Sequence, residues 1–340
     1  MPTPFMVRAL TSIILCVFLV TSAVAHPGSG IVVDKGGQVF FTDTGQGVWK
    51  IDGRGDLTLL PASLFHWMTI DEVGYFAESQ KSFGEWFERV TPQGSKPALI
   101  MSSDFPLTIN RDGNIYYADT RPRSARVVRR TPDGRESVLA ADEAFKGIAG
   151  IAAGPDGSLY ITDANAVRKI ATDGKVSQFA GPEIIGSGRD RAISPPSESE
   201  ANYCRGLAVD PQGVVYVAAT GSRRVLKITP GGDVSTILQA PSPWAPTGVA
   251  VFGGEVYELE WQDAPPSQAE VRRAWIPRVR KVGRDGRITT LATVSRETTA
   301  PASPRVKQEN SNGLSTGVKL AIAVVAVLVA ATILGIKVAK

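Results

Sequence analysis

One unit recurs along most of this chain. Gly150-Ile151-Ala152-Ala153-Gly154-Pro155-Asp156-Gly157-Ser158-Leu159-Tyr160-Ile161-Thr162-Asp163 is answered by Gly206-Leu207-Ala208-Val209-Asp210-Pro211-Gln212-Gly213-Val214-Val215-Tyr216-Val217-Ala218-Ala219. Each is a short apolar strand, a four-residue turn ending in Gly, and a second strand rich in β-branched and aromatic residues. The unit returns around Asp34, Asp71, Asn110, Gly154, Asp210 and Phe252, at spacings of 37, 39, 44, 56 and 42 residues.

A period near 40 residues made of four short strands predicts an all-β, six-bladed β-propeller of four-stranded blades. In the fifth unit the strands are expected at Gly206–Val209, Val214–Ala218, Arg224–Ile228 and Val234–Leu238. The third and fourth strands are joined by Gly-terminated turns, among them Thr91-Pro92-Gln93-Gly94, Thr131-Pro132-Asp133-Gly134 and Thr229-Pro230-Gly231-Gly232. Gly supplies the positive φ and Pro presets the first corner. The first blade holds all its strands between Ile31 and Leu60, and the last ends near Val294. Side-chain packing between blades 1 and 6, with no exchanged strand, is the closure this predicts.

The ends of the chain are of another kind. Residues 1–25 carry Arg8, an apolar run from Ala9 to Val20 and Ala23-Val24-Ala25, the pattern of a signal peptide cleaved after Ala25. Leu320 to Ile336 has no charge and lies between Lys319 and Lys337; its 17 residues span about 26 Å as a helix, and the flanking lysines can snorkel. The expected organisation is a signal peptide 1–25, a propeller 26–296, a polar tether 297–317, a C-terminal transmembrane helix 318–337 and a cytoplasmic tail 338–340. That makes a single-pass type I membrane protein with its propeller on the extracytoplasmic side, periplasmic or at the cell surface.

This division changes the meaning of the charge. The whole chain is at +4, which alone would suggest nucleic acid. Six of its 37 basic residues (Arg8, Arg305, Lys307, Lys319, Lys337, Lys340) and one of its 33 acidic ones (Glu309) lie outside 26–300, so that segment is at −1. No nucleic-acid partner is expected. Cys204 alone remains after leader cleavage and reads as a buried small hydrophobe.

The blade pattern resembles NHL-repeat propellers, and more loosely the gluconolactonase and senescence-marker group. Blades 4 and 5 carry the likeness through Gly150-Ile151-Ala152 and Gly206-Leu207-Ala208-Val209-Asp210-Pro211, and the crossover Gly181 to Arg205 resembles the family's long inter-blade connection. The resemblance implies a propeller over roughly residues 26–296 and no single activity. Blade 2 is short after Asp71, and blade 6 has Phe252 where Asp is usual.

The ends of the six second strands read Thr42-Asp43, Ala77-Glu78, Ala118-Asp119, Thr162-Asp163, Ala218-Ala219 and Leu259-Glu260. Asp43, Glu78, Asp119, Asp163 and Glu260 would form an acidic rim, on the face that also carries the long connections 182–203 and 262–274. Such a rim suits a divalent cation such as calcium or a cationic ligand. Equally, an Asp at a strand end fastens its own loop by accepting backbone N–H bonds. No cofactor is otherwise expected. The lactonase metal set of the resembled group finds no residue-by-residue match; only Asn165 and Asn202 stand on the right face.

His26 and His66 are too few for a multi-histidine zinc site, and His66 beside Trp67 reads as a packed crossover residue. Arg121, Arg123, Arg126, Arg129 and Arg130 read as outer-strand positions balanced by acids. Phe40, Tyr75, Tyr116, Tyr160, Tyr216 and Tyr257 recur once per blade and are expected in the core. The function expected is a membrane-anchored binding or scaffold module for a protein or cell-envelope ligand. The alternative is a metal-dependent hydrolase or lactonase using the acidic rim.

Overall fold

The second strand of each blade is packed from both sides by neighbouring blades, so it is buried along its length and mostly apolar, not alternating. Val39–Asp43, Ile115–Asp119 and Leu159–Asp163 meet this requirement, with every residue buried. These strands anchor the sheets of a computed structural model that describes residues 27–60, 62–75, 87–92, 97–120, 125–142, 145–181, 203–262 and 275–295.

Five sheets are four-stranded meanders in chain order. Blade 1 contains β1 (Ile31–Val33), β2 (Val39–Asp43), β3 (Gly47–Ile51) and β4 (Leu57–Leu60). After β5 (Trp67–Asp71), β6 (Phe87–Val90) and β7 (Ala98–Ser102) comes blade 3, with β8 (Leu107–Ile109), β9 (Ile115–Asp119), β10 (Arg126–Arg130) and β11 (Glu136–Ala141). Blade 4 has β12 (Ile148–Ala153), β13 (Leu159–Asp163), β14 (Ala166–Ile170) and β15 (Val176–Ala180). Blade 5 has β16 (Leu207–Val209), β17 (Val215–Ala219), β18 (Arg224–Ile228) and β19 (Val234–Gln239). Blade 6 has β20 (Trp244–Phe252), β21 (Glu255–Gln262), β22 (Ile276–Val282) and β23 (Ile288–Thr293).

The innermost strands form a closed circuit, β1 to β5 to β8 to β12 to β16 to β20 and back to β1. Each end blade keeps its own four strands, so the ring closes by packing as the sequence predicts. Phe41 and Trp49 of blade 1 share a core with Tyr257, Leu259 and Trp261 of blade 6. Burying each such side chain is worth about 1.5–3 kcal/mol. Outward, β15, β19 and β23 expose two of five, three of six and four of six residues. Blades 3 to 6 each bulge at one point in the pairing of third and fourth strands, which twists the open edge away from partners.

Blade 2 departs from the expected meander. Its described strands run in the order β5-β7-β6, with β7 in the middle. The cause is composition: Ala98-Leu99-Ile100-Met101-Ser102 is buried at every position, and only such a segment suits the central place. Ser102 pairs with Trp67, which puts a serine where the other blades end their second strand. Tyr75, expected in the core, is instead 39% exposed at a turn. Glu78 lies outside the described residues, as do the signal peptide, the tether, the transmembrane segment, Arg121 and Arg123. Among the described residues no helix is long and apolar enough to cross a membrane; the one helical turn is Thr220–Ser222.

Candidate functional site: the upper face and the channel mouth

First strands begin and second strands end on one face, here the upper face. The two longest undescribed internal stretches, 182–202 and 263–274, leave and re-enter the ring there, after β15 and before β16, and between β21 and β22. On the opposite face the first and second strands are joined by tight turns. In these, Asp34, Asn110 and Asp210 accept N–H bonds from Gln38, Asn114 and Val214 at 2.8–2.9 Å.

The structure places four of the five rim carboxylates, all of them buried. Asp43 accepts the Gly45 N–H at 2.8 Å and the Trp49 indole N–H at 3.2 Å. Asp119 is held by the Arg126 guanidinium at 2.9 Å. Asp163 accepts the N–H groups of Lys146 and Gly147 at 2.7 and 2.8 Å, and Arg168 stands 2.8 Å away. Glu260 bonds Arg278 and Arg280. Each carboxylate therefore engages partners of its own blade, in the manner of a fastener, and the four are not brought to one point. Among the described residues no group of three or more His, Cys, Asp or Glu could hold a metal ion. His66 is buried, with Nδ1 3.0 Å from the Ser103 carbonyl oxygen and its ring beside Trp67.

Blade 6 contains a charge cluster that the linear pattern does not reveal. Glu258 and Glu260 share one face of β21 and lie directly across from Arg280 and Arg278 on β22. Arg280 reaches both acids, Glu258 at 3.1 Å and Glu260 at 2.7 Å. The Arg278 guanidinium stacks 3.9 Å from the centre of the Trp244 ring. Burial, with the neighbouring Glu260 charge, pushes the Glu258 carboxyl up to about 8. Burial raises Glu260 as well, against the pull of Arg278 and Arg280.

The inner strands enclose a central cavity of about 50 Å³, lined by Gly30, Met68, Leu107, Gly150, Gly206 and Val249 among others. Its narrowness follows from the repeated Gly. A Cβ on Gly150 would overlap the Arg205 carbonyl oxygen, one on Gly206 would stand 2.8 Å from the Thr247 carbonyl oxygen, and one on Gly248 would overlap that of Ser29. Blades 4, 5 and 6 thus each seat a glycine on the residue that precedes the glycine of the next blade, while Met68 and Pro106 hold the equivalent places in blades 2 and 3. The residues in that preceding register, one position above the cavity's inner-strand lining, are Ser29, Trp67, Phe105, Ala149, Arg205 and Thr247; Ser29 and Trp67 line the cavity, and Phe105 and Thr247 are buried. Trp67 of blade 2 donates its indole N–H to the Ala149 carbonyl of blade 4 at 3.0 Å.

The N-terminal segment crosses the same mouth. Gly28 accepts bonds from the Thr247 hydroxyl at 2.7 Å and the Trp261 indole at 3.0 Å, and Pro27 accepts one from Arg205 at 3.0 Å. Arg205 escaped the sequence reading although a signal was present: it is the one charged residue in the preceding register.

Fold and mouth together define an all-β six-bladed propeller with a closed, nearly filled centre. No protein-family model matches the chain, and no curated relative does. Among solved structures it is similar to virginiamycin B lyase from Staphylococcus aureus, at 15% identity over 79% of this chain and 85% of that one, with a TM-score of 0.45. It is also similar to the calcium-binding protein regucalcin from Agrobacterium tumefaciens, at 13% identity over 70% and 83%, TM-score 0.46. A putative gluconolactonase gives 18% identity over 70% and 87%, TM-score 0.47. The blade count rests on the strand pairing described above.

Proposed function

We propose that this chain is a membrane-tethered, extracytoplasmic propeller of NHL-like blades whose upper face binds a protein or cell-envelope ligand. One observation carries the reading: 182–202 and 263–274 both spring from upper-face strand ends of a ring whose other face has tight turns. Long connections gathered on one face of a rigid repeat array are where such folds place recognition. The signal peptide 1–25 and the anchor 318–337 would present that face outside the cytoplasm. Binding through loops needs no nucleic acid and no resident cofactor.

The test uses the full chain in detergent, immobilised beside a variant with 183–202 replaced by a Gly-Ser linker of equal length. Envelope proteins and purified envelope glycans are offered to both. The reading predicts retention by the wild type that the variant loses; equal retention by both contradicts the role given to this loop.

A second reading, a metal-dependent hydrolase or lactonase, would use the rim carboxylates, of which Asp43, Asp119 and Asp163 end second strands on the upper face and Glu260 lies near the end of one. It predicts lactone turnover that requires calcium or zinc, stops with chelator and falls in Asp119→Ala or Asp163→Ala.

A further inference from the structure

The register just above the cavity departs from its own rule in two blades, and in one of them the charge is inverted. In blades 1, 3, 4 and 6 an uncharged mouth residue (Ser29, Phe105, Ala149, Thr247) accompanies a buried carboxylate at the end of the second strand. Blade 2 pairs Trp67 with Ser102. In blade 5 the charges are inverted. Continuing the β16–β17 register places Arg205 opposite Ala219, so its own blade supplies a cation and no acid.

Arg205 is held in place without being neutralised. Its backbone N–H bonds the Ala218 carbonyl at 2.9 Å, and its own carbonyl accepts the Thr162 hydroxyl of blade 4 at 2.6 Å. The guanidinium lies over the Tyr203 ring, 5.4 Å from its centre, and donates one hydrogen bond, to Pro27. Among the described residues no carboxylate pairs with it, whereas Arg126, Arg130, Arg168, Arg278 and Arg280 are all paired. A guanidinium offers five donors in a planar fork that fits two oxygens of one oxyanion. One bond to a carbonyl leaves most of that capacity unused, and a stacked, tethered side chain has little freedom left to lose on binding.

We propose that Arg205 anchors an oxyanion site at the upper mouth of the central channel, taking a small ligand through a carboxylate or phosphate group. The fork grips the oxyanion, and the half-buried Trp67 indole, fixed by its bond to Ala149, offers an apolar wall on the same rim. The site shares a face with the loop-borne binding proposed above but depends on neither loop.

Phenylglyoxal modification of arginines in the purified full chain, read by peptide mass spectrometry, tests this. Sodium phosphate and sodium acetate serve as probes, with sodium chloride holding ionic strength constant. Arg205 should be protected saturably by at least one probe, while the exposed Arg54 is not. Protection by phosphate alone or by acetate alone identifies the group. Arg205→Lys, which keeps the charge and loses the fork, should raise the half-saturating concentration roughly tenfold to a hundredfold, read from the intrinsic fluorescence response. Thr247→Val loosens the Gly28 contact without touching the guanidinium and should leave protection intact. Absence of saturable protection in the wild type overturns the site. So does equal weakening by Thr247→Val and Arg205→Lys, which would assign the effect to a loosened N-terminal segment. Protection that survives replacement of 183–202 separates this site from the loop reading.

Discussion

The Cα of Gly248 lies so close to the Ser29 carbonyl that a single added methyl group would overlap it. Here the last blade meets the first, and no strand crosses between them. Closure therefore depends on backbone approach, on the shared core of Phe41, Trp49, Tyr257 and Trp261, and on the Thr247 and Trp261 bonds to Gly28.

Gly248→Ala should cost about 2–3 kcal/mol, because the obstructing atom is backbone and cannot rotate away. In a domain of this size that is a fall of roughly 5–10 °C in Tm. Gly53→Ala is the control, since a Cβ there meets nothing within 4 Å; it should stay within about 0.5 kcal/mol of wild type. Thermal unfolding of both variants decides the matter.

The blade 6 cluster makes stability depend on pH with a defined sign. Burial and Glu260 raise Glu258 from its ordinary 4.5 to about 8 in the folded protein, so the folded state holds this proton more tightly than the unfolded chain. Its contribution is complete below pH 4.5 and is lost as pH rises through about 8. Tm measured from pH 5 to pH 8.5 should decline more steeply for wild type than for Glu258→Gln. Parallel profiles would show that Glu258 is already ionised in the fold.

Arg280→Ala removes the cation that both buried acids share. Breaking a buried pair from one side costs about 3–5 kcal/mol, so this variant should unfold well below wild type. Adding Glu258→Gln should recover part of the loss above pH 8, where the acid ionises, and little near neutrality, a non-additivity that urea denaturation can measure.

Cys204 should behave as an inert core residue. It is buried and its N–H bonds the Ala164 carbonyl at 2.7 Å, and burial pushes the thiol up to about 12. Iodoacetamide at pH 8 should label it only as fast as the blade opens, and at once in denaturant.

Much of this ring was legible because its units are local. Arg224–Ile228 falls where the sequence places it, and the other strands of blade 5 lie within one residue of expectation. A Gly-terminated turn and a β-branched strand announce themselves within a few residues. Blade 2 was not legible, since placing Ala98–Ser102 inboard of Phe87–Val90 is a pairing choice between distant segments. The Glu258–Arg280 pair was hidden for a similar reason: its register is set across the 263–274 insertion. The rim carboxylates were found by alignment, but alignment does not show which partners hold them. Asp119 is engaged by an arginine seven residues on and Asp163 by backbone 16 and 17 residues back. Arg205 becomes visible once the six mouth residues are set side by side.

The claim that most needs testing is that the upper-face carboxylates fasten blades and leave recognition to the loops. Thermal unfolding of the full-length wild type and of Asp163→Ala, each with calcium and with chelator, addresses it directly. The account predicts that calcium does not move the wild-type Tm and that Asp163→Ala lowers it equally in both conditions. A calcium-dependent rise in the wild type that Asp163→Ala abolishes would contradict it and establish the rim as a metal site.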